Sequence, residues 1–360
     1  MLSITSLLSP LIIGFGVMMG VVILDARTIY VRGFDVPQAM SQQGYSGGVF
    51  ERKVIDQVRL IERTARTRPE TRRLALDSEK STLDLIAGYF GVEPLVRAIQ
   101  GSSELLEYAV AGEIVARGDE FVLSMRTTHY GGALSEFHIA KPKTDVDGLV
   151  QATAEAIVRI VDPQILCASR LRVGLATNPP DLGAAEKCVL ETVETAAYVD
   201  RPWLWTLAGV IEFLRNDRAA AARYFARAVK LDPDFSPALL NIGILYSLEG
   251  RHIEAIKAYR LVFRRPSPED SPQTYAAALV EWGDSLIALG LSREGERKYR
   301  QAIRYDGDFL LAYHRLLAVK PPGPRRDALQ AKAAGVARRA DQLYTENLLG
   351  LIRDAAHPKP

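Results

Sequence analysis

Residue types that mark metal sites are scarce in this 360-residue chain. It has two cysteines and five histidines, and they are scattered rather than grouped at metal-ligand spacing. This scarcity argues against a zinc module. The sequence also lacks a glycine-rich phosphate loop that follows a strand and opens a helix. We therefore expect no catalytic residues, no metal and no cofactor, and we expect that the protein is not an enzyme.

An excess of charge of one sign is lacking as well, because 45 basic side chains stand against 43 acidic ones. A net charge of +2 gives no general case for nucleic acid or for acidic partners. Residues 63–73 are locally basic, but Glu62 precedes them, Glu70 interrupts them and no aromatic residue is interleaved. A solvated helix end and loop is the preferred interpretation, and no nucleic acid partner is expected.

One long run has no charge at all. Residues 7–24, LLSPLIIGFGVMMGVVIL, are just long enough to span a bilayer core of about 30 Å. A cleaved signal peptide is the competing interpretation, but no Lys or Arg precedes the run. We expect a transmembrane anchor over residues 1–27. Gly16 and Gly20 have the spacing that brings two such helices together, and a homodimer through them is one of two alternatives.

A repeat of 34 residues organises the second half of the chain, over residues 202–319. Gly209 and Gly243 are separated by this period, and a third copy at Gly283 is delayed six residues by an insert at 266–272. Glycine lets two helices approach closely, alanine leaves room, and an aromatic residue fills the space between successive hairpins. The recurring packing positions are Gly209, Ala221, Phe225, Ala228, Gly243, Ala255, Tyr259, Gly283, Tyr299 and Ala302.

This pattern resembles the tetratricopeptide repeat (TPR). The resemblance implies a stack of helical hairpins that binds other proteins and has no chemistry of its own. In that family ligands touch the inner face of the first helix of each hairpin. By register this inner row comprises Thr206, Val210, Phe213, Leu240, Ile244, Ser247, Val280, Asp284 and Ile287. The row is mostly apolar, which favours an amphipathic partner helix or the protein's own C-terminal helix as its occupant.

Residues 28–163 are predicted to form a separate small α+β domain, with helices over one face of a sheet. The predicted strands are 28–32, 105–116, 120–127 and 134–140, and the predicted helices are 50–65, 83–89, 92–99 and 146–161. The whole fold class is therefore α+β, with one N-terminal transmembrane helix (1–27), the α+β domain (28–163), TPR-like repeats (164–319, first copy degenerate) and a C-terminal capping helix and tail (320–360).

The two cysteines lie in the degenerate first hairpin, on helices predicted at 164–173 and 184–198. Cys167 and Cys188 are nearly opposite each other across the turn of that hairpin. They are either two small buried apolar residues or a disulfide, and the sequence leaves both interpretations open.

The side of the membrane is predicted by conflicting signals. Arg27 and Arg32 follow the apolar run and favour a cytoplasmic body. The resemblance to bacterial single-pass proteins of this layout favours the periplasm, which we prefer. The sequence thus predicts a bacterial inner-membrane TPR scaffold that binds another protein through an apolar groove. The alternative is a small-molecule sensing α+β domain with the repeats as its relay.

Overall fold

The computed structural model describes residues 28–65, 75–77, 108–129, 134–265 and 272–343. The chain divides into two compact units. The first comprises Met1–Thr64 and Arg72–Leu166, and the second comprises Ala65–Thr71 and Cys167–Pro360.

The first unit is built on a mixed sheet in the order β2-β1-β3-β4-β5. Strand β1 pairs in parallel with both β2 and β3, and β3, β4 and β5 form an antiparallel meander. The strands are β1 (Thr28–Asp35), β2 (Ala75–Asp77), β3 (Tyr108–Arg117), β4 (Glu120–His129) and β5 (Leu134–Pro142). The helices are α1 (Gln38–Ser41), α2 (Gly47–Ala65) and α3 (Val146–Val161).

Alternation along the strands and helical spacing along α2 produce the core of this unit. On β4, Phe121, Leu123 and Met125 are fully buried, because successive side chains of a strand point to opposite faces. Helix α2 buries Phe50 and further apolar residues on one face, and the Phe50 ring meets the Phe34 ring edge-on with centroids 5.1 Å apart. The sheet therefore buries one face, and its other face carries both polar and apolar residues, such as Glu113, Val115 and Arg126.

Most predicted elements of this unit occur where the sequence places them. The differences are β2, which has only three residues, and the parallel pairing of β1, which makes the sheet mixed. A three-residue strand is too short to show an alternating pattern. The helices predicted at 83–89 and 92–99 lie outside the described residues.

The membrane architecture requires a correction. None of the helices within the described ranges is both long enough and apolar enough to cross a bilayer. The fold class with a transmembrane helix, the single-pass character and the inner-membrane location are withdrawn on this finding. The run at 7–24 lies outside the described residues, as do Gly16 and Gly20 of the expected homodimer.

The second unit consists of helices joined by short turns. They are α4 (Pro163–Leu175, which begins in the first unit), α5 (Gly183–Thr192), a short 3₁₀ turn (Tyr198–Asp200), α6 (Arg201–Leu214), α7 (Arg218–Leu231), α8 (Ser236–Leu248), α9 (His252–Val262), α10 (Pro272–Ala288), α11 (Ser292–Tyr305), α12 (Leu310–Val319) and α13 (Pro324–Leu343). Three hairpins form the repeat array: α6–α7, α8–α9 and α10–α11. We call α6, α8 and α10 the first helices of these hairpins, and α7, α9 and α11 the second helices.

The turn inside each hairpin needs a residue in the left-handed region. Asn216, Gly250 and Gly290 occupy it with φ of 65°, 74° and 80°. Glycine adopts this conformation without steric cost, and asparagine tolerates it better than most residues. In the first hairpin the Asp217 carboxylate then accepts a hydrogen bond from the Ala220 amide at 2.8 Å and caps α7.

Glycine and aromatic residues meet inside each hairpin. A Cβ built on Gly209 would lie 2.3 Å from the ring of Phe225, and the corresponding distance from Gly243 to the Tyr259 ring is 2.2 Å. Gly283 repeats the arrangement against Tyr299 at 2.4 Å. The aromatic ring therefore occupies the space that a side chain of the first helix would fill. We had expected it to lie between successive hairpins.

This contact predicts the effect of a single methyl group. Gly243→Ala gains about 1 kcal/mol of helix propensity, but it forces a Cβ into the fully buried Tyr259 ring. Overpacking of a closed core costs about 1–3 kcal/mol, so we expect a net loss of stability of up to about 2 kcal/mol. Urea unfolding followed by tryptophan fluorescence measures it.

Gly307→Ala is the control for this change, because the nearest atom to its Cβ is 3.9 Å away. We expect it to alter the free energy of unfolding by less than about 0.5 kcal/mol. Equal effects of the two substitutions would contradict the packing role of Gly243.

The first helical pair of this unit is joined covalently. Cys167 of α4 and Cys188 of α5 form a disulfide, with their Cα atoms 5.4 Å apart. Helix α5 ends at Thr192, earlier than the predicted residue 198.

Candidate partner-binding surfaces

Most of the predicted inner row is not accessible. Six of its nine residues are buried, with exposed fractions from 0 to 6%. Ser247, Asp284 and Ile287 are half-buried and remain in contact with solvent. The register does not indicate how far this face is covered, and an extensive apolar groove is not present at these positions. The six buried residues are Thr206, Val210, Phe213, Leu240, Ile244 and Val280.

Asp284 is the centre of a polar cluster at the end of the array. The Tyr299 hydroxyl donates to its Oδ1 at 2.6 Å, and the Arg315 Nε donates to its Oδ2 at 2.9 Å. Burial of the phenol, with the Asp284 charge beside it, raises the pKa of Tyr299 well above its ordinary value. Because Arg315 lies on α12, the cluster joins the third hairpin to the next helix. The Asp284 carboxylate thus helps to hold the array together through these two hydrogen bonds.

The first helices are also linked by hydroxyl groups. Ser285 of α10 donates to the Ser247 Oγ of α8 at 3.4 Å. Tyr259 lies nearby, and burial together with the charges of Glu281 and Asp284 raises the pKa of its phenol. The accessible part of the inner row is therefore polar around Ser247 and Asp284, and Ile287 supplies its apolar contact.

An aromatic and basic cluster lies on the first hairpin. The rings of Trp205 and Tyr224 stack with centroids 5.5 Å apart, and the Arg227 guanidinium lies 4.7 Å from the Trp205 centroid. A cleft of about 390 Å³ opens here beside Arg223 and Lys230.

A second cleft of about 400 Å³ lies on the third hairpin. Lys298 Nζ is 3.4 Å from the centroid of the Trp282 ring, and Phe263 packs against both Trp282 and Tyr305. Its lining consists of Phe263, Leu279, Trp282, Lys298, Gln301, Arg304 and Tyr305. We call this set of residues the aromatic–basic cleft.

Comparison with known families concerns the middle hairpin. The family model for the tetratricopeptide repeat matches residues 236–266, which include α8 and α9. The chain carries tetratricopeptide repeats. Their Gly–aromatic hairpins and left-handed turns are the features described above, and the resemblance stated from the sequence is confirmed for the repeat family.

Curated relatives share only short stretches with this TPR protein. A barley (Hordeum vulgare) protein, described as probable UDP-N-acetylglucosamine–peptide N-acetylglucosaminyltransferase SPINDLY, is 34% identical over 93 residues, 26% of this chain and 10% of the relative. The anaphase-promoting complex subunit cut9 of Schizosaccharomyces pombe is 33% identical over 60 residues, 17% of this chain and 9% of the relative. This chain therefore spans about a tenth of the length of these relatives. The transferase activity belongs to the barley protein and is not assigned here.

Among solved structures, the crystal structure of the MamA protein matches with a TM-score of 0.30 and 20% identity. The match covers 46% of this chain and 86% of MamA. A likeness at this level carries no further argument.

The aromatic–basic cleft was not predicted from the sequence. Its walls come from Phe263, Trp282 and Lys298, which lie on three separate segments of the TPR array. A weak signal was present in α11, where five basic residues accompany two glutamates. Only the folded hairpin shows that two of these basic residues share a cleft with aromatic rings.

Proposed function

We propose that the TPR array is a scaffold that holds another protein at the accessible part of the inner row, around Ser247, Asp284 and Ile287. The support is the regular stack of three Gly–aromatic hairpins, because such stacks present extended surfaces for binding. TPR repeats are typically non-catalytic scaffolds that bind partner proteins. The surface of the inner row that a partner could reach is small and mostly polar.

The burial found for the inner row decides which variants can test this proposal. Charges placed at Phe213 or Ile244 would enter sites that are 6% and 3% exposed, and the array would lose stability before any partner was tested. Ser247 is half-buried and small, so a long charged side chain there can extend toward solvent and block docking.

We expect Ser247→Arg to reduce captured partner by about tenfold, since contacts at the centre of an interface carry most of its energy. The purified, tagged full chain is cross-linked in an extract of its source cells, and captured proteins are quantified by mass spectrometry. Ala222→Arg adds the same charge at an exposed site of α7 and should leave capture unchanged.

Circular dichroism establishes that both variants keep their helical content. Equal capture by the two variants would overturn the inner row as the docking surface. A wild-type chain that enriches no protein over a tag-only control would overturn the scaffold function itself.

A further inference from the structure

The two sides of the TPR hairpins carry opposite charge. The three second helices contain eleven basic and three acidic side chains, whereas the three first helices contain one basic and three acidic ones. The net charge of the whole chain is only +2, so this asymmetry is local. It gives the second-helix side of the array a positive potential that attracts acidic partners.

Only some of the basic side chains of α11 are paired with carboxylates of the described residues. Arg297 pairs with Glu294 at 3.1 Å, and Arg300 pairs with Glu296. Neither Lys298 nor Arg304 has a carboxylate within 4.0 Å among the residues that the structure describes. These two cations line the aromatic–basic cleft, and no acidic residue is part of its lining.

Lys298 is held in place by the aromatic wall. Its ammonium group lies over the Trp282 ring at 3.4 Å, a cation–π contact that partly replaces water. Burial, with the charges of Arg297 and Arg260, lowers the pKa of Lys298 below its ordinary value. A carboxylate placed in the cleft would offset both effects, because an opposite charge favours the protonated ammonium.

The rest of the cleft provides apolar contact area. Phe263 packs against Trp282 with ring centroids 6.4 Å apart and against Tyr305 at 5.9 Å. Tyr305 is 51% exposed, so part of its ring is available to an incoming side chain. Because the Lys298 ammonium covers one face of Trp282, that face is not free for a nucleic acid base to stack on. The cleft therefore fits a carboxylate next to an apolar side chain better than it fits a base.

The first hairpin has a basic residue at one of the two equivalent positions, and an aromatic residue at the other. Tyr224 and Lys230 follow Gly209 by 15 and 21 residues, as Lys298 and Arg304 follow Gly283. The cleft of about 390 Å³ there combines one aromatic ring, that of Tyr224, with basic side chains. The pairing of aromatic and basic groups thus recurs two repeats apart on the second helices.

We propose that the aromatic–basic cleft binds an acidic segment of the partner protein, with an Asp or Glu side chain between Lys298 and Arg304 and an apolar neighbour against Tyr305. The proposal rests on the scaffold function proposed above, and it adds a second contact surface and the chemistry of the bound segment.

The test uses the full chain and a fluorescein-labelled peptide in which pairs of Asp or Glu alternate with single Leu residues. Fluorescence anisotropy measures its affinity, and a peptide with Asn and Gln in place of the acids is the control ligand. We expect the acidic peptide to bind at least about tenfold more tightly than the control peptide, because its carboxylates meet two cations that no carboxylate of the described residues neutralises. Binding should weaken as salt is raised.

The variant Lys298→Met with Arg304→Met keeps side chains of similar length and removes both charges. We expect it to lose at least about tenfold in affinity for the acidic peptide. Arg293→Met removes a basic side chain from an exposed position at the start of α11 and should retain binding. Equal binding of the two peptides, or equal affinity of the two variants, would overturn the proposal.

Two further outcomes distinguish this proposal from nucleic acid binding and from the scaffold function of the inner row. The first outcome concerns a single-stranded oligonucleotide. If it binds more tightly than the acidic peptide, and if the double variant loses this binding, the ligand of the cleft is a nucleic acid and not an acidic protein segment. Ser247→Arg should leave peptide binding unchanged. In the wild type, equal binding of the two peptides with partner capture intact would refute the cleft alone. A wild type that captures no partner but still prefers the acidic peptide would refute the inner-row scaffold alone.

Discussion

Phe225→Ala is expected to lower the free energy of unfolding of the repeat array by about 3–5 kcal/mol. The Phe225 ring is fully buried and lies against Gly209, which has no side chain to move into the space that the ring would leave. The cavity would therefore remain largely open. A loss of this size is a large fraction of the stability of an ordinary domain.

The measurement can be confined to the array. All three tryptophans of the chain, Trp203, Trp205 and Trp282, belong to the second unit. Urea unfolding followed by tryptophan fluorescence thus reports this unit, while circular dichroism reports both. The control Arg223→Ala changes an exposed residue of the same helix and should stay within about 0.5 kcal/mol of the wild type. A loss below about 1 kcal/mol for Phe225→Ala would mean that the aromatic residue does not hold the hairpin together.

Removal of the disulfide by Cys167→Ser with Cys188→Ser is expected to cost about 3 kcal/mol. The bond closes a loop with a sequence separation of 21 between its cysteines, and in the chain-entropy model such a cross-link stabilises by restricting the unfolded chain. The loss of stability should be greatest at α4 and α5. Each hairpin of a repeat array contacts only its immediate neighbours, so more distant hairpins should be little affected.

Dithiothreitol supplies the matched control for the disulfide. It should lower the stability of the wild type by about the same 3 kcal/mol and leave the double variant unchanged. A double variant as stable as the oxidised wild type would contradict a stabilising bond. Thiol titration under denaturing conditions, before and after reduction, verifies that the wild type starts oxidised.

The repeat array was largely predictable from the sequence because its rules are local. A glycine, an aromatic residue and a left-handed turn recur at fixed offsets, and each offset depends on one hairpin only. The spacing predicted that Gly243 and Tyr259 each recur with the period of the repeat, but not that they contact each other within one hairpin. The short strand β2 (Ala75–Asp77) could not be found in this way, since its place in the sheet depends on pairing with β1 rather than on its own pattern.

The surfaces were less predictable because exposure depends on distant parts of the chain. Leu240 and Val280 lie on the face that the register assigns to ligands, yet both are fully buried. Lys298 and Phe263 are far apart in sequence, and only the packing of three helical segments brings them to one cleft. The small-molecule sensing alternative for the α+β unit stays a prediction.

Each Gly–aromatic contact is closed within a single hairpin, and this has an evolutionary consequence. An insertion or deletion between hairpins, such as the six extra residues before the third copy, leaves every such contact intact. A whole hairpin can likewise be duplicated or lost without creating an unpaired glycine or an unpaired ring. The array can thus change its length by complete units over generations, whereas an insertion within a hairpin would separate a glycine from its ring.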